Sequence, residues 1–416
     1  MRLTNDEKAM LAGAEGEAAR RALRMQIEVG EFFGAEDFVP VTSAHMHAEM
    51  EAMGEPGLAF VEEMAALGAR VRVPATCDPR SVDFSLWRKL GQEERQVKLE
   101  RRLSRALKRM GIMLVDSCIN YQTVMPPRFR EHLAWGDTGA VIYANAVAGA
   151  RSNFEGGPVA LAAAITGRVP RYGYHLPEQR LGTALVDVRD VPRQRSDWAA
   201  LGCAVGRQVN DYWQVPVFVG LDGLGARPNV DDLKVLGAAL ASYGSLAMYH
   251  VVGVTPEART LDEACGGREP QRRLVVEPGM LAAAYRSFAP ENKRPDLVVF
   301  SAPQLSLQEM QELAGLLRGN KVHPDVRLVA TTNYQNWAMS RRLGFVQDME
   351  KAGALVVQGA CFYMLTPRQL RERFGYRTLV TDSAKLANII AAYGYNPVLR
   401  PTEVCVETAL EGELPW

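Results

Sequence analysis

Two cysteines stand where thiols can do chemistry. Cys118 follows the apolar run 112–115 and Cys361 follows 354–357, and both runs read as strands. In open α/β sheets ligands bind at the carboxyl ends of strands, so side chains delivered there converge. Thiols in that position can ligate a soft metal ion from distant parts of the chain; equally, each is a small hydrophobe that fills a sheet edge. Cys77, Cys203, Cys265 and Cys405 lack such a setting and read as structural. Asn145, Ser301, Thr331 and Asp382-Ser383 share the strand-end position, and Ser43-Ala44-His45 closes a short strand at 38–42.

Groups that move protons or hold anions accompany the thiols. His45 and His47 flank Met46, and on a strand both rings point to one face, although chelation needs a third ligand that the nearby sequence does not offer. Glu155 precedes Gly156-Gly157; it is a general acid or base if desolvated, or a carboxylate favoured by a helix dipole. His175 lies in Tyr172-Gly173-Tyr174-His175, as a polar pocket residue or a buried hydrogen-bonder. Lys385, in Asp382-Ser383-Ala384-Lys385, opens a helix, where it binds a carboxylate or phosphate or is simply solvated. From Asn145 to Pro158 polar side chains alternate with glycines ahead of an alanine-rich helix. That pattern reads as a loop delivering Asn145, Arg151, Asn153 and Gly156 to a helix N-terminus, with Arg151 facing an anion. The candidates are therefore His45, Glu155 and Lys385 for catalysis, and Cys118 and Cys361 for a metal. Substrate contacts are expected from Ser43, Ala44, Asn145, Arg151, Asn153, Gly156, His175 and Ser383.

These residues need a frame. The chain has 416 residues, more than one hydrophobic core serves, so two or three lobes are expected. It carries 48 basic and 48 acidic residues, which argues against binding nucleic acid or an anionic membrane by bulk charge. No apolar run approaches a bilayer span, and the charged N-terminus is not a signal peptide. Six cysteines without a C-x-x-C pair make neither a disulfide framework nor a zinc finger, so a reducing cytoplasm is the expected compartment.

Thr4-Asn5-Asp6-Glu7 reads as a capping box, and helical periodicity runs on to about Phe33. Strands are predicted at 38–42, 71–74, 112–115, 140–143, 184–188, 215–220, 246–252, 297–300, 326–330, 354–357 and 378–380. Helices are predicted at 93–110, 198–209 and 231–243 and after each later strand, and 269–273 reads as an exposed connection. Strand, crossover and strand at such intervals give an α/β fold with parallel sheets covered by helices on both faces. The expected lobes are 1–110, helical with a βα unit, then 111–290 and 291–416, both α/β.

The motifs together resemble one family, the large catalytic component of aconitase X. The stretches that carry the resemblance are Val41-Thr42-Ser43-Ala44-His45, Arg130-Glu131-His132-Leu133-Ala134-Trp135-Gly136-Asp137 and Val141-Ile142-Tyr143-Ala144-Asn145. They continue through Gly149-Ala150-Arg151-Ser152-Asn153-Phe154-Glu155-Gly156-Gly157-Pro158, Ile165-Thr166-Gly167, Tyr172-Gly173-Tyr174-His175, Leu236-Gly237-Ala238-Ala239, Tyr249-His250 and Gly253-Val254-Thr255-Pro256-Glu257-Ala258. The resemblance spans nearly the whole chain. It implies an aconitase-superfamily hydro-lyase that removes water from a small hydroxylated acid; the family's activities are dehydration of cis-3-hydroxy-L-proline and of mevalonate 5-phosphate. It also implies an iron–sulfur cluster on this component and a small swivel domain, fused or separate, that completes the site. The sequence carries no such domain, so it is expected to be the large subunit of a two-chain enzyme.

One motif departs from the family. Cys118 and Cys361 match two of its three cluster cysteines, but the third belongs in a Gly-Cys-Pro-His element where this chain reads Ser301-Ala302-Pro303-Gln304. Ile119-Asn120-Tyr121 also replaces Thr-Pro-Tyr, and Asp382 replaces an Asn. With Ala302 in the third position, the expectation is iron or a cluster held by two thiols, with Ser301 or Asp382 as oxygen ligands, or a site whose cluster is altered or lost. The expected substrate is cis-3-hydroxy-L-proline or a related compound. The alternatives are mevalonate 5-phosphate, a related lyase or isomerase working without a cluster, and an inactive binding subunit.

Overall fold

The Thr4 capping box closes as the sequence predicts: Thr4 Oγ1 accepts from the Glu7 N–H at 3.3 Å, and Glu7 Oε2 accepts from the Thr4 N–H at 2.8 Å. In the computed structural model, which describes residues 1–221 and 227–415, the periodicity to Phe33 is two helices, Asn5–Leu11 and Glu17–Phe32. Gly13 and Gly16, with φ of 94° and 88°, break the run in a left-handed turn that favours glycine.

The first part of the chain folds around Phe38–Pro40 (β1), Ala44–Met46 (β2), Ala75–Cys77 (β3), Ala134–Trp135 (β4) and Arg168–Pro170 (β5). β2 lies between β3 and β4, parallel to both, while β1 and β5 form a separate antiparallel pair. Next come Ala184–Val188 (β6), Pro216–Val219 (β7), His250–Val251 (β8) and Arg272–Val276 (β9), a parallel sheet in the order β8-β7-β6-β9. Last are Leu297–Leu305 (β10), Arg327–Thr332 (β11), Leu355–Gln358 (β12), Thr378–Thr381 (β13) and Asn396–Leu399 (β14), parallel in the order β12-β11-β10-β13-β14. Helices alternate with these strands, and β10 is buried along its whole length, as a strand covered on both faces must be. The fold is α/β. No helix among the described residues is long and apolar enough to cross a membrane.

Several predicted elements come out differently, each for a local reason. The run 140–143 lies inside the helix Thr138–Ala146, which Asp137 caps by accepting from the Ala140 N–H at 2.7 Å. Every residue from Gly139 to Ala146 is buried, and a run that is apolar all round has no period to separate strand from helix. Residues 71–74 are not a strand, because Val71 and Arg72 donate to Met110 and Ala164 carbonyls and leave the ladder to β3. Residues 112–115 add only a bridge between Met113 and Thr76. The expected exposed connection at 269–273 runs into β9, an edge strand whose Arg272 and Arg273 stay exposed. β14 carries Pro397, and a strand with proline belongs at a sheet edge, which is where it sits.

Candidate active site

Two parallel sheets meet with their carboxyl ends towards one another. After β2 comes His47, after β3 Asp78, and after β4 Gly136 and Asp137. From the opposite side come the second half of β10, with Ser301 to Gln304, then Cys361 after β12, and Ser383 and Lys385 after β13. Contacts stitch the two sides together. Asn333 Nδ2 donates to Ser117 Oγ at 3.0 Å, the Gln358 N–H donates to Asp83 Oδ2 at 3.1 Å, and Arg80 reaches Tyr334 OH.

Cys118 and Cys361, far apart in sequence, are brought within hydrogen-bonding reach of one another. Burial pushes the Cys118 thiol well above its ordinary value, and the neighbouring Cys361 adds to this. Burial acts on Cys361 in the same sense, but hydrogen bonds from Cys118 and Ser301 and the Lys385 charge outweigh it and hold that thiol below its ordinary value. Ser301 Oγ lies 3.4 Å from Cys361 Sγ and 2.7 Å from Thr331 Oγ1. Cys118 Sγ accepts from the Gln304 N–H at 3.3 Å. Ala302 presents a buried methyl group where the family pattern has its third thiol. Among the described residues no three or more His, Cys, Asp or Glu side chains form a group able to hold a metal ion. Two thiols and a methyl, beside a Ser301 hydroxyl already bonded to Thr331 and to the Phe362 N–H, do not fit a centre that takes three or four protein ligands. Asp382 is no substitute, because it faces away: its Oδ2 accepts from Thr402 Oγ1 at 2.8 Å, and Arg195 is its charged neighbour.

Beside the thiols Lys385 Nζ lies 3.6 Å from Asp137 Oδ2 and 3.4 Å from Thr138 Oγ1. Burial works against its charge, yet Asp137 and the two thiols hold the ammonium above its ordinary value. Asp137 is buried too, and Lys385 and the Ala140 N–H keep its carboxylate below the usual range despite that burial. Asp78 joins both histidines: His45 Nε2 is 2.9 Å from its Oδ1 and His47 Nε2 is 3.5 Å from its Oδ2. The two rings do share a face. His45 is wholly buried, with Nδ1 2.8 Å from Thr76 Oγ1, and burial brings it down to about 4, so the ring is neutral. His47 is the more exposed ring, and its Nδ1 lies 3.3 Å from Glu49 Oε1.

Glu155 is buried, its Oε1 has no partner, and burial alone raises its carboxyl to about 7. Two glycines let it approach the strand ends. A Cβ on Gly136 would sit 2.5 Å from the Glu155 carbonyl oxygen, and one on Gly157 would sit 2.4 Å from that of His47. Gly156 is the N-cap of the helix Gly157–Thr166.

The remaining candidates hold the loops in place. Ser43 Oγ accepts from Trp135 Nε1 at 3.1 Å, and Ala44 opens β2. Asn145 is at the end of a helix, not a strand; its Nδ2 donates to the Ser152 and Ala247 carbonyls at 2.8 Å each. Asn153 Nδ2 donates to the Tyr172 carbonyl at 3.1 Å, and its Oδ1 accepts from the Tyr174 N–H at 3.0 Å. Arg151 Nη1 donates to the His175 carbonyl at 3.4 Å, and its Nε has no partner. His175 stacks on His132 with its Nδ1 2.9 Å away from that of His132. Ser383 caps the helix Ala384–Ala391 and donates to the Ala302 carbonyl at 2.5 Å. Sequence reasoning missed Asp78, Asp137 and Gln304. Asp137 had a usable signal, an aspartate just ahead of an apolar run that it caps.

Comparison with known proteins agrees with this architecture. Models of the aconitase X first, second and third domains match residues 1–178, 182–286 and 295–411. The large subunit of phosphomevalonate dehydratase from Methanocaldococcus jannaschii is 34% identical over 405 residues, 96% of this chain and 97% of that one. The cis-3-hydroxy-L-proline dehydratase of Pseudomonas aeruginosa is 37% identical over 424 aligned positions, covering 100% of this chain and 71% of that protein. The crystal structure of Thermococcus kodakaraensis aconitase X in its holo-form superposes with a TM-score of 0.88 at 31% identity, over 98% of this chain and 100% of that one. Fold and relatives define a hydro-lyase, an enzyme that eliminates water. The chain belongs to the aconitase X family and is a dehydratase of that family.

Proposed function

We propose that this chain is the large subunit of a cytoplasmic dehydratase that removes water from cis-3-hydroxy-L-proline or a closely related hydroxylated acid, together with a small swivel subunit. The observation that carries this reading is the buried Lys385–Asp137 pair beside two thiols, where strand ends of two sheets face each other. Relatives named as large subunits support the two-chain arrangement, and the hydroxyproline dehydratase relative supports the substrate.

Elimination breaks one C–H and one C–O bond. The electron pair of the C–H bond becomes the new double bond, and the hydroxyl leaves as water after gaining a proton. Glu155, raised to about 7, takes the carbon-bound proton. Lys385 supplies positive charge and a proton to the departing hydroxyl: an ammonium group is a far stronger acid than water, whose pKa is about 15.7. Asp137 holds that ammonium in place, and Arg151 holds the substrate's acid group. His45 works at one remove, fixing Asp78 beneath His47.

Mevalonate 5-phosphate is the second reading, favoured because this chain covers 97% and 93% of two phosphomevalonate dehydratase large subunits. The test is co-expression with a small swivel-type chain and a dehydration assay on hydroxyproline isomers and mevalonate 5-phosphate. Consumption of cis-3-hydroxy-L-proline supports the first reading, and turnover of the phosphate alone supports the second. Turnover of neither, with an assembled complex, overturns both substrate readings.

A further inference from the structure

Residues 301–304 carry a set of bonds that reaches both thiol-bearing loops. Gln304 Oε1 accepts from the Cys118 N–H at 3.3 Å, while its Nε2 donates to the Asp116 carbonyl at 3.1 Å and the Ala360 carbonyl at 3.0 Å. One amide thus ties the loop bearing Cys118 to the loop bearing Cys361. An imidazole has only two ring nitrogens and cannot make all three of these bonds. The backbone of the same residue donates to Cys118 Sγ at 3.3 Å. Ser301 completes the pattern on the other thiol: its Oγ, 3.4 Å from Cys361 Sγ, also accepts from the Phe362 N–H at 3.0 Å. Between them Ala302 offers only a methyl group, and the Ser383 hydroxyl binds its carbonyl.

A cluster ties distant loops together through metal–sulfur bonds, and a chain that lost one thiol while keeping the others would leave two buried sulfurs poorly matched to their surroundings. Here both sulfurs have hydrogen-bonding neighbours, and the loops are joined without metal. We infer that this chain has exchanged the family's three-thiolate cluster for a metal-free hydrogen-bonded staple centred on Gln304. Cys118 and Cys361 are polar members of that staple. The inference rests on the donor set and is independent of which acid the enzyme dehydrates.

The test uses the full chain, purified without oxygen and incubated with ferrous iron and sulfide. Iron and acid-labile sulfide are counted, and the visible and electron paramagnetic resonance spectra are recorded. The wild-type chain is expected to retain less than about a tenth of an equivalent of cluster, and the Ala302→Cys/Gln304→His variant at least about ten-fold more. Circular dichroism and thermal unfolding establish that the variant is folded. A stoichiometric cluster in the wild-type chain overturns the inference. A folded double variant that takes up no more than wild type overturns the assignment of the loss to residues 302 and 304. No step measures turnover, so either result leaves the dehydratase reading to its own assay.

Discussion

Lys385 Nζ sits 3.6 Å from Asp137 Oδ2, with both side chains under 5% exposed at 4% and 3%. One residue opens the helix Ala384–Ala391 and the other caps the helix Thr138–Ala146, so the ion pair joins the two halves of the site. Removing one partner leaves a buried charge without its counter-charge, a loss of about 3–5 kcal/mol. Lys385→Met should therefore lower stability, and it should also lower kcat about 100-fold or more through loss of preorganised charge. Steady-state kinetics with the small subunit, at a temperature where the variant stays folded, checks this; an unchanged kcat removes Lys385 from the chemistry.

Glu155 gives a pH signature. A base with its pKa near 7 is active only when ionised, so kcat/KM should rise with pH through about 7. Glu155→Gln should abolish that limb and cost about 100-fold in rate. Retention of the limb in the variant would assign it to another group.

The close approaches at Gly136 and Gly157 are steric. Neither residue has room for a methyl group, which would meet backbone oxygens at 2.5 and 2.4 Å. Gly136→Ala and Gly157→Ala should each cost about 1–3 kcal/mol by overpacking. Gly315→Ala, in the helix Leu307–Leu317 with nothing within 4 Å, is the control and should stabilise by about 0.5–1 kcal/mol. Thermal unfolding of all three separates crowding at the site from a general intolerance of alanine.

Glu100 predicts how stability changes with pH. Burial first, and then the Glu49 charge, raise its carboxyl from 4.5 to about 7. A folded pKa above the unfolded one means that the contribution is complete below 4.5 and is lost as pH rises through about 7. Glu100→Gln removes the ionisation and keeps an acceptor for the Met50 N–H that Glu100 Oε2 accepts at 3.2 Å. Compared with wild type, the variant should gain up to about 3 kcal/mol between pH 4.5 and pH 7.5. Denaturant unfolding across that range is the measurement, and parallel curves would show that Glu100 does not ionise there.

Much of the fold was legible because its strands alternate with amphipathic helices. The strand 184–188 and the capping box at Thr4 came out as predicted. The helix Thr138–Ala146 did not, because an element buried on all sides carries no amphipathic period. Within the site, Cys361 and Lys385 follow strands as their positions in the sequence suggest, whereas Cys118 follows a segment that adds only a bridge to β3. Asn145 was misplaced with its helix, and Asp382 turned towards Arg195.

Residue types and their order suffice for the α/β class, the family and the missing third thiol. It takes the folded chain to bring Asp137 to Lys385, one aspartate to two histidines, and Gln304 to two loops. The first and the last of those pairings cross between lobes, Gln304 meeting Cys118 from 186 residues away, and even His45 and Asp78, within one sheet, are 33 residues apart. No local pattern encodes them; the packing of one sheet end against another does.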